Sequence, residues 1–154
     1  FSPQSYLHEK VDRHAELITN FDFIFVNGGI IKTLSSPEDT LFLDGWDDLI
    51  YVEAQRYSPY KYSWLTSAMP QFEKFRRARD EMFAKTPPTF FYGRCADGVL
   101  SDSTIRTKEL KEYIQLSPSC VFVHPSKLFK ITEDQWKQAE EKFGIIKPTN
   151  AQNL

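Results

Sequence analysis

The residues of clearest chemical character in this sequence form two adjoining blocks of opposite charge. From Thr33 to Gln55 there are six acidic residues and no Lys or Arg, whereas Arg56 to Arg79 contains six basic residues and one acidic residue, Glu73. If the two blocks fold onto different faces, each attracts an oppositely charged surface and orients the partner that carries it. The competing interpretation is that these side chains neutralise one another in ordinary surface ion pairs.

The acidic block contains carboxylates of the kind that a nuclease uses to hold Mg²⁺, one from a turn and another on a neighbouring strand. Asp44 or Asp48 together with the run Glu53, Ala54 and Gln55 loosely resembles the acidic pair and E-x-K strand of the restriction-endonuclease-like nucleases. The resemblance implies a metal-dependent nuclease. It covers only about a dozen residues, and Gln55 stands where the family has Lys, so a solvated acidic turn between two strands is the favoured interpretation.

The basic block begins with aromatic residues that alternate with Arg56 and Lys61, and continues into a basic helix. Such a mixture can stack bases and hold phosphates, which would make a single-stranded RNA-binding module. Tyr, Trp and Arg are also enriched at the centres of protein–protein interfaces. Because phosphate binding depends on a positive excess and the net charge is −2, we favour the protein interface and expect no nucleic-acid partner. Its predicted residues are Tyr57, Tyr60, Tyr62, Trp64, Arg76, Arg77 and Arg79.

The remaining candidates for catalysis lack the patterns that catalysis requires. His8 and His14 are not at metal-ligand spacing, and His14 lies on an apolar helical stripe, where a packed histidine is the commoner role. His124 follows a predicted strand, without a recognisable nucleophile motif beside it. The sequence also lacks the glycine-rich loops that bind phosphate. We therefore predict no catalytic residue, cofactor or metal site, and lean against an enzyme.

Two features bear on location. Cys95 and Cys120 lie outside any metal-ligand spacing, and buried free thiols, typical of a reducing compartment, are favoured over a single disulfide. The chain opens on Phe1, and its first residues lack signal-peptide and transit-peptide patterns. We expect an intracellular chain, with the mitochondrion as the favoured compartment after removal of a presequence. No apolar run is long enough to span a membrane, so any membrane association would be through partners.

Hydrophobic spacing and turn residues predict about four helices and a small sheet. The apolar stripe from Leu7 to Ile18 predicts a first helix that ends at Asn20. Apolar runs flank Asn27, Gly28 and Gly29, which tolerate the positive φ of a tight turn, and this pattern predicts a β-hairpin near residues 21–34. Further strands are predicted at residues 40–43, 49–54, 89–95 and 120–123.

Three later helices are also predicted. The first begins near Pro70, buries a stripe that includes Phe72, Phe75 and Phe83, and ends at Thr86 because two prolines follow. The second runs from Ser103 or Thr107 to Gln115. The third has a capping box at Thr132 and Gln135 and a glycine stop at Gly144.

Helices and strands are thus mixed without strict alternation, which predicts a single α+β domain with a mainly antiparallel sheet over residues 1–146. A polar C-terminal arm is predicted at residues 147–154. The aromatic fraction of 15% and the segregated charge favour docking surfaces over a catalytic centre. We therefore expect a non-catalytic accessory or structural subunit of a larger, possibly mitochondrial, protein complex, whose partners are other protein subunits.

Overall fold

The fold consists of helices and short strands in mixed order. The structure is a computed structural model that describes residues 13–45, 48–62, 72–93, 95–96, 99–100 and 112–149. Its helices are α1 (Arg13–Leu34), α2 (Leu49–Ala54), α3 (Glu73–Lys85), α4 (Pro125–Leu128) and α5 (Glu133–Phe143). Its strands are β1 (Leu41–Asp44), β2 (Phe90–Gly93), β3 (Cys95–Ala96), β4 (Val99–Leu100), β5 (Ile114–Gln115) and β6 (Val121–Val123).

Four of the strands form a mixed sheet in the order β1-β2-β6-β5. β6 is antiparallel to both β2 and β5, whereas β1 and β2 are parallel. A parallel pair needs a long crossover, and the chain between β1 and β2 supplies one that contains α2 and α3. A separate antiparallel pair joins β3 to β4. The predicted α+β class with a mainly antiparallel sheet is confirmed.

Alternating side chains of the strands divide the interior into two cores. Leu41 and Leu43 face a first core with residues of α1, α2 and α5, whereas Phe42 faces a second core with residues of α3. The same alternation separates Phe90 and Tyr92 from Phe91. A sheet that is covered on both faces needs apolar residues at every position, which explains its continuous apolar runs.

The predicted hairpin near residues 21–34 is wrong, and so is the predicted helix end at Asn20, because α1 is one helix from Arg13 to Leu34. The Asn27 side chain is buried and donates from Nδ2 to the Phe23 carbonyl (2.6 Å), and its Oδ1 accepts from the Cys120 amide (3.3 Å). The Asn-Gly-Gly sequence therefore does not form a turn. Asn27 instead joins α1 to the start of β6.

The two glycines of α1 allow other helices to approach its backbone. A Cβ added at Gly28 would lie 2.6 Å from Cγ and 2.7 Å from Cβ of Glu53 in α2. A Cβ added at Gly29 would lie 2.7 Å from Cζ of Phe143 in α5. Both distances are shorter than carbon–carbon contact permits. The glycines are thus required by helix packing rather than by backbone conformation.

Two further elements differ from the prediction. Residues 49–54 form helix α2 rather than a strand, because Ile50 and Ala54, four residues apart, bury one helical face against the first core. Residues 112–115 do not continue a helix, since Ile114 pairs with Val123 in the sheet. Short apolar runs do not distinguish helix from strand until the neighbouring elements are known.

The capping signals of α5 and the end of α3 are confirmed, but the predicted buried stripe of α3 is wrong at Phe72, which precedes the helix and is 56% exposed. α3 ends at Thr86, ahead of the two prolines, and buries Met82 and Phe83. The capping box of Thr132 and Gln135 begins α5, and Gly144 ends it with a φ of 67°. The predicted strands at residues 40–43, 89–95 and 120–123 are observed as β1, β2 and β6.

Some predictions lie outside the described residues. These are the start of the first helix, the residues His8 and Trp64, the turn at Asp97, the helix from Ser103 as far as residue 111, and the arm beyond residue 149. The division into a domain and an arm stays a prediction. In the part of the chain that is described, no helix is both long and apolar enough to cross a membrane.

Candidate functional site

The loop after α2 and the first turn of α3 together form a cluster of aromatic rings and lysines. We define the aromatic–lysine cluster as Lys61, Tyr62, Phe72, Lys74 and Phe75. The Tyr62 and Phe75 rings meet edge to face with centroids 4.8 Å apart, and Phe72 and Phe75 do so at 6.1 Å. Edge-to-face pairs at these distances contribute about 0.5–1.5 kcal/mol each beyond the burial of their area. Residues separated along the chain are thereby held as one surface.

The two lysines of the cluster lie over the same ring. Nζ of Lys61 is 5.3 Å and Nζ of Lys74 is 5.4 Å from the Tyr62 centroid, and Lys74 is also 5.9 Å from the Phe75 centroid. Both lysines are exposed, so each cation–π contact contributes on the order of 0.5–1 kcal/mol. Their positive charges are concentrated beside Phe72, whose side chain is 56% exposed. The cluster thus offers an apolar ring and two ammonium groups to the same partner.

The exposed side of α3 adds further positive charge next to the cluster. Arg76 and Arg77 are exposed, as predicted for interface residues. Arg77 forms an ion pair with Glu73 one turn earlier, so part of its charge is compensated within the helix. Arg76 has no ion-pair partner among the residues that the structure describes. Its guanidinium is available to an acidic group of another molecule.

Two of the predicted interface residues lie inside the chain instead of on its surface. Tyr60 is only 5% and Arg79 only 6% exposed. The Tyr60 hydroxyl donates to the Phe75 carbonyl (3.0 Å), and its ring meets that of Tyr62 edge to face at 5.7 Å. Burial raises the pKa of Tyr60, and the nearby Arg79 charge opposes that rise. Tyr60 is therefore buried against Tyr62 and Phe75 of the aromatic–lysine cluster.

The other aromatic residues of the predicted interface are placed differently. Tyr62 is half-buried within the cluster. Tyr57 is 85% exposed, and its backbone forms a parallel bridge with Thr40, beside β1. Phe72, Lys74 and Phe75 were not among the predicted interface residues. Phe72 and Phe75 had been assigned to the apolar stripe of the helix, and their position at its first turn, next to the exposed loop, is the signal that indicates partial exposure.

The nuclease hypothesis requires Asp44 or Asp48 on a turn and Glu53 on a neighbouring strand, and the acidic residues do not have this arrangement. Asp44 is buried at the end of β1, and Asp48 precedes the first turn of α2. Glu53 lies on α2 against Gly28, so the E-x-K strand that the resemblance needs is a helix here. Within the described ranges, no group of three or more His, Cys, Asp or Glu side chains is arranged to hold a metal ion.

The histidine and cysteine candidates have structural partners. Nδ1 of His124 lies 2.8 Å from the Ser126 hydroxyl and accepts from the Ser126 amide (3.3 Å), which caps the first turn of α4. Cys120 is disulfide-bonded, so the expectation of free thiols is wrong. The sequence contains one other cysteine, Cys95. The spacing of two cysteines does not predict their pairing, which depends on how the fold brings the β-strands together.

A buried ion pair that the sequence did not predict lies on the other side of the sheet from α3. Nζ of Lys127 is 2.6 Å from Oδ2 of Asp39 and donates to the Ser36 hydroxyl (3.0 Å). The Ser36 amide donates to the same Asp39 oxygen (2.6 Å). The lysine is therefore paired with a carboxylate and a hydroxyl, and it joins α4 to the loop after α1.

Comparisons with protein families, with curated proteins and with solved structures find no match to this chain. The function of this chain is therefore inferred from its candidate site alone.

Proposed function

We propose that this chain is a non-catalytic accessory domain of a larger protein assembly, and that it docks an acidic surface of a protein partner through the aromatic–lysine cluster. The observation that carries the proposal is the pair of lysine ammonium groups held over Tyr62 beside the exposed Phe72 ring. Aromatic rings supply rigid contact area, and the cations supply orientation and attraction. Together they favour a partner whose surface combines carboxylates with an apolar side chain.

A protein partner fits this cluster better than single-stranded RNA. A base needs a free ring face for stacking. The Tyr62 ring has two lysines over it and two aromatic neighbours, and the Phe75 ring has Lys74 over it and two aromatic neighbours. A base would have to displace these groups. An acidic side chain can instead approach the ammonium groups from solvent and leave the ring contacts intact.

The location of the assembly is part of the proposal. The cysteine argument for a reducing compartment no longer applies, because Cys120 is disulfide-bonded. Disulfides persist in oxidising compartments. An intracellular, mitochondrial location therefore stays a proposal. It is restricted to a mitochondrial compartment in which disulfides form.

The test compares binding to two defined polyanions. A short peptide of alternating Glu and Phe and a single-stranded oligonucleotide of equal charge are titrated into the full chain, and fluorescence anisotropy of the probe is measured. We expect the peptide to bind more tightly. The double substitution K61E/K74E reverses both charges of the cluster and is expected to weaken peptide binding by at least about tenfold.

The matched control is K137E/K142E, which makes the same charge change on exposed positions of α5. It is expected to leave peptide binding nearly unchanged. If the control weakens binding as much as K61E/K74E, the interaction depends on net charge and the cluster is not the site. Tighter binding of the oligonucleotide, lost in K61E/K74E, would overturn the protein-partner proposal in favour of RNA binding, and no binding of either probe would overturn the docking role of the cluster.

A further inference from the structure

Arg79 is a buried cation whose hydrogen-bonding capacity is incompletely used. The residue is 6% exposed, and its buried Nη1 has no hydrogen-bond partner among the residues that the structure describes. Nη2 is 3.7 Å from Oδ1 of Asp80, which is longer than a hydrogen bond, and the Asp80 side chain is largely exposed. A buried charged donor without an acceptor is unfavourable, and such groups are normally paired or bound to a ligand. Within the described ranges, the acceptor that this guanidinium requires is therefore missing.

Arg79 lies next to the aromatic–lysine cluster along helix α3. Arg79 follows Phe75 by four residues and Arg76 by three, so all three share one side of α3. A long side chain on a helix leans toward the N-terminus and covers the preceding turn. The Arg79 charge also acts on Tyr60, whose hydroxyl donates to the Phe75 carbonyl. Arg79 is thus on the same side of α3 as Phe75 of the cluster and the exposed Arg76.

We propose that Arg79 binds the side-chain carboxylate of a Glu or Asp residue from the protein partner, with Nη1 as the donor and Arg76 as the outer cation. This inference rests on the proposed function and adds a specific anchor to it. A carboxylate is the acceptor that matches a guanidinium most closely, because it takes two parallel N–H donors. Nη1 is buried in the free chain, so the carboxylate reaches it when the Arg79 side chain moves outward past Asp80, whose side chain is 56% exposed. The partner then supplies the acceptor that Nη1 of Arg79 lacks among the described residues.

If Arg79 anchors the partner, Arg79→Met is expected to weaken binding without lowering the stability of the free chain. Removing an unpartnered buried charge is expected to leave the thermal unfolding midpoint of the free chain unchanged or higher, since an apolar side chain of similar length needs no acceptor. The same substitution is expected to weaken binding of the Glu and Phe peptide by at least about tenfold. Arg79→Lys keeps the charge but lacks the fork of donors, and is expected to lose binding as well.

Lys85→Met is the matched control, because Lys85 is an exposed cation of the same helix that is already paired with Glu81. It is expected to change peptide binding by less than about twofold. A second readout follows the side-chain nitrogen resonances of Arg79 in labelled protein as sodium acetate is added, and a saturating shift in these resonances is expected from a carboxylate in contact with the guanidinium.

The outcomes separate the anchor from the docking surface. If K61E/K74E weakens peptide binding and Arg79→Met does not, the cluster stands and the anchor is wrong. If the full chain does not bind the peptide, but acetate shifts the Arg79 resonances, the carboxylate site stands and the proposed function fails. A lower unfolding midpoint for Arg79→Met, with peptide affinity unchanged, would show that Arg79 has only a structural role.

Discussion

Tyrosine hydroxyl groups that face the interior show how single residues tie elements of this chain together. Tyr60 donates to the Phe75 carbonyl, Tyr113 donates to the Pro88 carbonyl, and the Tyr51 hydroxyl accepts from the Leu43 amide. Burial raises the pKa of all three, and for Tyr51 hydrogen bonds oppose part of the rise. The folded chain therefore favours the protonated form of each of these hydroxyls.

These raised pKa values predict a loss of stability in alkali. Above about pH 10 the unfolded chain loses tyrosine protons that the folded chain keeps, so the unfolded state binds fewer protons and the free energy of unfolding falls with pH. The fall is on the order of 1.4 kcal/mol per pH unit for each such tyrosine. Urea unfolding between neutral and strongly alkaline pH measures it. The substitution Y113F is expected to make the fall shallower.

Tyr57 provides the control for this prediction, because its side chain is 85% exposed. Y57F is expected to follow the pH dependence of the parent chain. If Y113F follows the parent curve as well, the ionisation of Tyr113 does not contribute to alkaline unfolding.

The candidate site was predictable in part at the level of residues. Arg76, Arg77 and Tyr62 were predicted from composition, and the structure places the arginines on the surface and Tyr62 half-buried in the cluster. Tyr60 and Arg79 are of the same residue types but are buried. Which side of a loop or helix faces inward depends on the elements packed against it. A single sequence with no clear period does not contain that information.

Among the elements, α1 shows most clearly that tertiary packing can override the local conformational preference of a sequence. Its Asn27, Gly28 and Gly29 favour a turn in isolation, yet they lie within a helix. α2 and α5 approach so closely at the two glycines that a side chain does not fit. The strand prediction at residues 49–54 failed for a related reason, because burial of one helical face decided the conformation of a short apolar run. By contrast, α5 was predictable because its start and stop signals are local.

The packing of α1 predicts that Gly28→Ala destabilises the chain. Helix propensity alone would stabilise it by about 1 kcal/mol. The added Cβ would overlap Cβ and Cγ of Glu53, and overpacking of this kind costs about 1–3 kcal/mol. We therefore expect a net loss of up to about 2 kcal/mol in the free energy of unfolding, measured by urea denaturation.

Gly29→Ala serves as the comparison, since its nearest neighbour is Cζ at the far end of the Phe143 side chain, which can move away by rotation about χ1. It is expected to destabilise less than Gly28→Ala. A rise in stability for Gly28→Ala would mean that α2 moves away without cost, and that the close approach of α1 and α2 is not a requirement of the fold.

On the scale of the whole molecule, one sheet separates two cores of different character. The first core is mainly aliphatic and lies between the sheet and α1, α2 and α5. The second core is mainly aromatic and lies between the sheet and α3, with the aromatic–lysine cluster at its edge. The candidate docking surface is therefore continuous with an aromatic core. Rings of the cluster are held at fixed angles by buried neighbours, which reduces the conformational entropy that a partner would have to remove on binding.

The cysteines give a prediction for the stability of the whole chain. Cys120 precedes β6, the strand that pairs with both β2 and β5, and it is disulfide-bonded. A disulfide restricts the unfolded chain and typically stabilises a protein by about 2–4 kcal/mol. Reduction with dithiothreitol is expected to lower the free energy of unfolding by that amount, as measured by urea denaturation. C120S is expected to match the reduced parent, because it removes one sulfur of the disulfide. If reduction leaves the stability unchanged, the link does not constrain the unfolded chain, and the preference for an oxidising compartment loses its physical basis.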